Sequence, residues 1–239
     1  MNILVTGGAE GLGKAITVRL LREEGNRVWI TYPASPDRAR EIGSSSGSVK
    51  SVKCDYKSPE DIEALAAAMP GMDLDVLVNN ATVGYTQEHF HKMRPGLFIE
   101  SFSHNVYPVM RITQQAIALF RKKKFGKIIN VLTSYLINRP PTGLSEYVAN
   151  KAYLESMSKS WAVENARFNI TSNSISPSFM RTGFTSAVDE RIVEEMAASH
   201  PLKKLLTPEE VADIVFFFVD APQHVNGVNL PVNCASDIV

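Results

Sequence analysis

Tyr147 and Lys151 stand four residues apart in Tyr147-Val148-Ala149-Asn150-Lys151, and Ser134 precedes the tyrosine by thirteen residues. In a helix, positions i and i+4 share a face one turn apart, so a phenol and an ammonium at this spacing can meet. A neighbouring ammonium favours the phenolate and draws the phenol pKa down from its ordinary value of about 10. A phenol tuned in this way exchanges a proton with an alcohol or a ketone at working pH. Tyr-x-x-x-Lys is also a common surface pattern on helices, so its meaning depends on what the rest of the chain assembles around it.

The elements that would position the pair begin at residue 2. Asn2-Ile3-Leu4-Val5 is an apolar run suited to a buried strand, and it leads into Thr6-Gly7-Gly8-Ala9-Glu10-Gly11-Leu12-Gly13. A helical stretch from Lys14 to Glu24 follows, with Ile16, Leu20 and Leu21 on its apolar face. Strand, glycine-rich turn and helix together form the context in which glycine spacing reads as a phosphate-binding turn. The backbone must bend sharply and approach a pyrophosphate, and the helix N-terminus offers free N–H groups and a positive dipole end.

Further strands are expected at 27–31, 49–54, 75–80, 127–132, 169–175 and 227–232. Helices are expected at 37–42, from Ser58-Pro59-Glu60-Asp61 onward, at 95–124 with Asn105 and Pro108 in its interior, at 145–167 and at 208–219. Residues 43–48 read as a polar turn, and 178–206 shows little periodicity. Strands alternating with helices, without an internal repeat or a composition break, predict one α/β domain over 1–239, a doubly wound parallel sheet of about seven strands with helices on both faces. Ligands bind such sheets beyond the carboxyl ends of the strands. The glycine turn, Asp55, Asn79, Ser134 and Pro177 all follow strand ends and are therefore expected to line one crevice.

Lys plus Arg equals Asp plus Glu at 25 each, which gives no electrostatic case for nucleic acid or an anionic membrane. The run Arg121-Lys122-Lys123-Lys124 reads as the cationic end of a long helix. Two cysteines, Cys54 and Cys234, are too few for a disulfide framework, and Cys54 reads as a buried thiol. With no signal peptide or membrane-length apolar run, a cytoplasmic protein is expected. His89-x-His91 lacks the further ligands a zinc ion needs, so no metal is expected.

Taken together these residues resemble the short-chain dehydrogenase/reductase family from end to end of the chain. Thr6-Gly7-x-x-x-Gly11-x-Gly13 is similar to its cofactor turn, Asn79-Asn80-Ala81 to its motif after the fourth strand, and Asn105, Ser134, Tyr147 and Lys151 to its catalytic tetrad. The resemblance implies a Rossmann-type NAD(P)-binding domain that moves a hydride between NAD(P)(H) and a small carbonyl or secondary alcohol. Tyr147 would be the general acid or base. Lys151 would lower its pKa and hold the nicotinamide ribose, Ser134 would hydrogen-bond the substrate oxygen, and Asn105 would hold a water linking Lys151 to solvent. Ser134 is preferred to its neighbour Thr133 on the thirteen-residue spacing. Cofactor contacts are expected from Gly7, Gly11, Leu12, Gly13, Tyr32, Asp55 (adenine), Asn79, Ala81, Tyr147, Lys151, Pro177 and Thr182. The family likeness also implies a homotetramer or dimer.

The chain departs from the family at Thr82, Ser178 and Asn233-Cys234-Ala235. It also lacks an acid at Thr31-Tyr32-Pro33, where an NAD-selective site binds the ribose 2′-hydroxyl. With Arg38 close behind, this tilts the expectation toward NADP(H) over NAD(H), although Glu10 would repel a 2′-phosphate. The alternatives to a small-carbonyl oxidoreductase are a 3-oxoacyl-thioester (acyl-carrier-protein) reductase and a non-catalytic dinucleotide-binding scaffold. Residues 178–206 are expected to form the substrate loop and helices, with Phe179, Met180, Phe184 and Met196 as apolar lining. Arg139 reads as a solvated loop residue.

Overall fold

Strands joined by helical crossovers pair in parallel, because each crossover returns the chain to the same end of the sheet. The computed structural model describes residues 1–34, 36–45, 47–137 and 139–236. Among them, β1 (Asn2–Val5), β2 (Arg27–Tyr32), β3 (Val49–Lys53), β4 (Val76–Asn79), β5 (Gly126–Val131), β6 (Ile170–Pro177) and β7 (Asn229–Val232) form one all-parallel sheet. Their order is β3-β2-β1-β4-β5-β6-β7. The chain reverses its direction of travel between β1 and β4, which opens a crevice beyond their carboxyl ends.

Helices cover both faces. On one, α1 (Gly11–Leu20), α2 (Asp37–Ser45) and α8 (Pro208–Asp220) bury Ile16, Leu20, Ile42, Val211, Val215 and Phe218 against β1 and β2. On the other, α3 (Pro59–Ala68), α5 (Tyr107–Lys123) and α6 (Ser145–Asn165) bury Ile62, Leu65, Ile112, Phe120, Leu154 and Trp161 against β4 and β5. Central strands covered on both sides leave no polar face, which is why β4 and β5 are buried throughout. α3 starts where its sequence places it: Ser58 Oγ accepts the Asp61 N–H at 3.1 Å, with Pro59 in the first turn. No helix among the described residues is long and apolar enough to cross a membrane.

Three features differ from the sequence reading. The single helix expected at 95–124 is two, α4 (Gly96–Asn105) and α5, broken at Val106. Pro108 has no N–H to donate, and its ring would crowd the preceding turn of a continuous helix. The segment 178–206, read as loop and helices, includes α7 (Glu190–Ser199) and is not one of them. α2 continues to Ser45 into the expected polar turn, of which Ser46 lies outside the described residues.

Finally, β6 is polar in sequence yet buried at every position. Its serines join a ladder that runs from Asn79 through Asn130 (2.9 Å) to Ser158 (3.0 Å) and Ser172 (2.9 Å). Each buried hydroxyl on it thereby keeps a partner. Lys127, buried in β5, donates to the Val219 and Ala221 carbonyls at 2.6 Å each, closing the C-terminus of α8.

Candidate active site

The first β–α turn is built for close backbone approach. Gly7 and Gly11 take φ +64° and +52°, a region other residues enter only under strain. A Cβ on Gly13 would lie 2.0 Å from the Gly7 carbonyl oxygen, so this position has no room for a side chain. Thr6 Oγ1 accepts the N–H groups of Asn80 and Ala81 at 3.0 Å each, tying the turn after β1 to the turn after β4. Glu10 gives α1 no side-chain cap, so the helix N-terminus keeps its donors directed at the crevice.

The crevice is a cavity of about 980 Å³. Gly7, Gly11, Leu12, Gly13, Asp55, Ala81, Tyr147, Lys151, Pro177 and Thr182 all line it, although they come from five separate stretches of the chain. Tyr147 and Lys151 rise from the first two turns of α6. Lys151 is 8 % exposed, its Nζ donates to the Val131 carbonyl at 2.8 Å, and it stands 5.9 Å from the centre of the Tyr147 ring. Burial draws its pKa down to about 8.

Tyr147 behaves differently from the expectation drawn from spacing. In the protein alone, burial of its hydroxyl end holds its pKa above the ordinary phenol value. The Thr133 hydroxyl, not Lys151, supplies the opposing hydrogen bond. The ammonium is turned to the Val131 carbonyl, which explains why it does not pull the phenol down.

Four of the expected site residues do not line the cavity. Ser134 is buried at the start of the 3-10 turn Ser134–Leu136, while Thr133, the last extended residue after β5, faces the cavity beside Tyr147. The thirteen-residue spacing therefore selected the wrong neighbour for the cavity position. Asn79 points into the sheet, where its Nδ2 donates to Thr113 Oγ1 and Asn130 Oδ1 at 2.9 Å each. Asn80, one residue on, lines the cavity instead. Tyr32 packs on the core beside Thr31 and Pro33, which do face the crevice.

Asn105 lies behind the cavity wall and its side chain is fully engaged. Its Oδ1 accepts from Thr82 Oγ1 (2.9 Å) and Val83 N (2.8 Å), and its Nδ2 donates to the Ser101 carbonyl (3.2 Å). Thr82, one of the departures from the family pattern, is thus the partner that holds Asn105.

Sequence reading also missed Glu146, Tyr85, Tyr135 and Ser178. Glu146 is 2 % exposed and accepts from Ser101 Oγ and from Thr86 N, the latter at 3.0 Å. A carboxylate at the residue before Tyr147 was visible, but its burial depends on α4. Asp55 accepts the Lys57 N–H at 2.9 Å, so it is both a turn residue and a cavity residue. Glu10 and Arg38 form an ion pair at the rim near the end of β2. Arg139 is exposed.

The family model described as enoyl-(acyl carrier protein) reductase matches residues 7–234. An acetoacetyl-CoA reductase of Paracoccus denitrificans is 34 % identical over 221 residues, covering 90 % of this chain and 88 % of that one. The chain belongs to the short-chain dehydrogenase/reductase family. A solved short-chain dehydrogenase/reductase family protein superposes with a TM-score of 0.84 at 32 % identity, over 96 % of this chain and 94 % of its own. An actinorhodin polyketide ketoreductase with NADPH gives 0.85 at 25 % identity, over 96 % and 94 %.

This family member is an NAD(P)-dependent oxidoreductase, and its cavity fits the dinucleotide on its own terms. The glycine cradle closes if a Cβ is added at Gly13. Across the cavity, the buried Ser178 hydroxyl has no partner among the described residues, and it stands beside Pro177, where a bound amide could use it as donor and acceptor. Thr182 reaches over the glycine turn: its Cβ lies 3.6 Å from where a Gly11 Cβ would stand.

Proposed function

We propose that this reductase interconverts a small carbonyl compound and the corresponding secondary alcohol in a single Rossmann domain, with residues 178–206 closing the substrate side. The observation that carries the reading is the convergence of Tyr147, Lys151 and the Thr133 hydroxyl at one wall of a cavity whose opposite half is the glycine turn.

When bound, the nicotinamide supplies or accepts the hydride. Tyr147 gives its phenolic proton to the substrate oxygen in reduction and takes it back in oxidation. Thr133 takes the role expected of Ser134, donating a hydrogen bond to that oxygen as negative charge develops. Ser134 sits behind it and supports the turn. Lys151, with its pKa drawn to about 8, is poised to lose and regain a proton at working pH and to hold ribose hydroxyls. Asn105 acts as a positioning residue, clamping Thr82 and Val83 beside the cavity. Gly7, Gly11, Leu12, Gly13, Asp55, Ala81, Pro177 and Thr182 would hold the dinucleotide.

NADP(H) is the preferred cofactor. The end of β2 carries no acid, Arg38 faces the crevice, and a structural relative was solved with NADPH. Glu10 is paired with Arg38, which keeps its charge from standing alone against a 2′-phosphate.

The alternative, a 3-oxoacyl-thioester reductase, is favoured by the names of relatives. Such a reductase needs a cationic patch for a carrier protein, and the run Arg121-Lys122-Lys123-Lys124 lies at the amino end of β5, about 20 Å of strand from the cleft. There Arg121 bonds Asn165 at 2.7 Å, and Lys123 pairs with Asp73 and Asp75. A homo-oligomer accords with the exposed apolar side chains of Ile99, Tyr107 and Tyr153 on α4, α5 and α6.

The test is a fluorescence titration with NADPH and NADH, followed by cofactor oxidation over a panel of uncharged ketones. Tighter NADPH binding with turnover of ketones is expected. Tight binding without turnover of any carbonyl would leave a dinucleotide-binding scaffold.

A further inference from the structure

The substrate half of the cavity is walled by rings. Tyr85 and Tyr147 have centroids 5.6 Å apart, Tyr85 and Phe184 meet edge-on at 5.2 Å, and Tyr147 and Phe184 lie at 6.1 Å. Tyr135 lines the same cavity as Tyr85. Tyr85 and Phe184 come from opposite sides of the crevice, from the segment after β4 and from the 3-10 turn Gly183–Thr185. Their contact spans the site above Tyr147.

Tyr85 is held there from behind. Val83 N donates to Asn105 Oδ1 (2.8 Å), Thr86 N to the buried Glu146 carboxylate (3.0 Å), and Glu88 N to the Gly143 carbonyl (3.0 Å). Gly84, at φ +111°, provides the bend that presents the next side chain. Three ties on either side of one ring fix its place at little further entropic cost to a ligand.

The charges of this cavity lie elsewhere or are engaged. Glu10, Arg38, Asp55 and Lys57 stand on the glycine-turn side, Lys151 bonds the Val131 carbonyl, and Asp189 caps α7 through the Arg191 N–H at 2.8 Å. The aromatic wall therefore offers a substrate flat apolar surface, and ring faces are themselves electronegative.

We propose that Tyr85 is a specificity-determining residue: with Phe184 it forms a clasp over Tyr147 that selects uncharged substrates whose reacting carbon bears an aryl or similarly flat apolar group. This rests on reading the cleft as a hydride-transfer site and names the substrate class of that site. An aryl ring lies against the clasp with its carbonyl oxygen toward Tyr147 and Thr133. A carboxylate next to the carbonyl meets, among the described residues of this wall, no cation except Lys151, which is turned to the Val131 carbonyl, and is rejected.

The experiment measures kcat/KM for acetophenone, cyclohexyl methyl ketone, butan-2-one and benzoylformate, with wild type, Tyr85→Phe, Tyr85→Ala and Phe184→Ala, each checked for unchanged cofactor affinity. Acetophenone is expected to lead the panel and benzoylformate to trail it. Tyr85→Ala should cost acetophenone about five- to tenfold and butan-2-one less than twofold, whereas Tyr85→Phe keeps the preference. Turnover of the panel without aryl preference, or equal losses on every ketone in Tyr85→Ala, overturns the clasp and leaves hydride transfer standing. No turnover of any ketone despite cofactor binding overturns both.

Discussion

Lys151 offers a stability measurement that tests the electrostatics of the site without knowledge of its substrate. Lys151 is 8 % exposed, and among the described residues its Nζ hydrogen-bonds the neutral Val131 carbonyl at 2.8 Å. Burial therefore dominates and lowers its pKa from 10.5 to about 8. The unfolded chain keeps the proton up to the ordinary lysine range, while the folded chain releases it earlier, so between these values unfolding takes up a proton. Stability must then rise with pH across that window, and the gain is lost again as pH falls through about 8.

A fall of about two and a half in pKa, at about 1.4 kcal/mol each, amounts to about 3.5 kcal/mol in full. About 1.4 kcal/mol of this is present by pH 9. The perturbation is Lys151→Met, which removes the titrating group and keeps an unbranched chain of similar length. Urea unfolding of both proteins from pH 7 to pH 10 gives the difference, in which groups common to both chains cancel. Wild type should gain on the variant steadily above pH 8. A difference that stays flat over this range would refute the depressed lysine and, with it, the account of Lys151 as a group poised near neutrality.

Thr133→Ala should lower kcat about a hundredfold or more with little change in cofactor affinity, since it removes a donor at the developing oxyanion. Ser134→Ala should stay within about threefold in the same steady-state assay, and the reverse order would restore Ser134 to the catalytic position. Glu10→Gln frees Arg38 at the rim of the cavity, so the ratio of NADH to NADPH dissociation constants should rise severalfold at low ionic strength and less in high salt. Equal changes for the two cofactors would place the 2′-phosphate away from this pair.

Much of the fold was legible because its signals are local. The apolar runs at 2–5 and 76–79, the serine–proline start of α3 and the glycine turn each specify their element within a few residues. Alternation of strands and helices then leaves few topologies other than the one observed. β6 was read as a strand although its residues are polar, but nothing in Ile170–Pro177 announced that its serines would be buried in a ladder with Asn130 and Ser158. The helix break at Val106 is half visible in Pro108, which stands inside the single helix expected at 95–124.

The site shows the same division more sharply. The sequence by itself determined the chemistry: a tyrosine and a lysine on one face of α6, a glycine turn feeding a helix N-terminus, and hydroxyls after β5. Those depend on residue type and on spacing within one element. Which hydroxyl faces the substrate, which amide enters the crevice and what the lysine bonds were decided by tertiary structure. A shift of one residue at a strand end turns a side chain from the cavity to the interior, as it does between Thr133 and Ser134 and between Asn79 and Asn80. The pKa values, too, belong to the fold. Burial against α4, β5 and the substrate segment, rather than the four-residue spacing, raises Tyr147 and lowers Lys151.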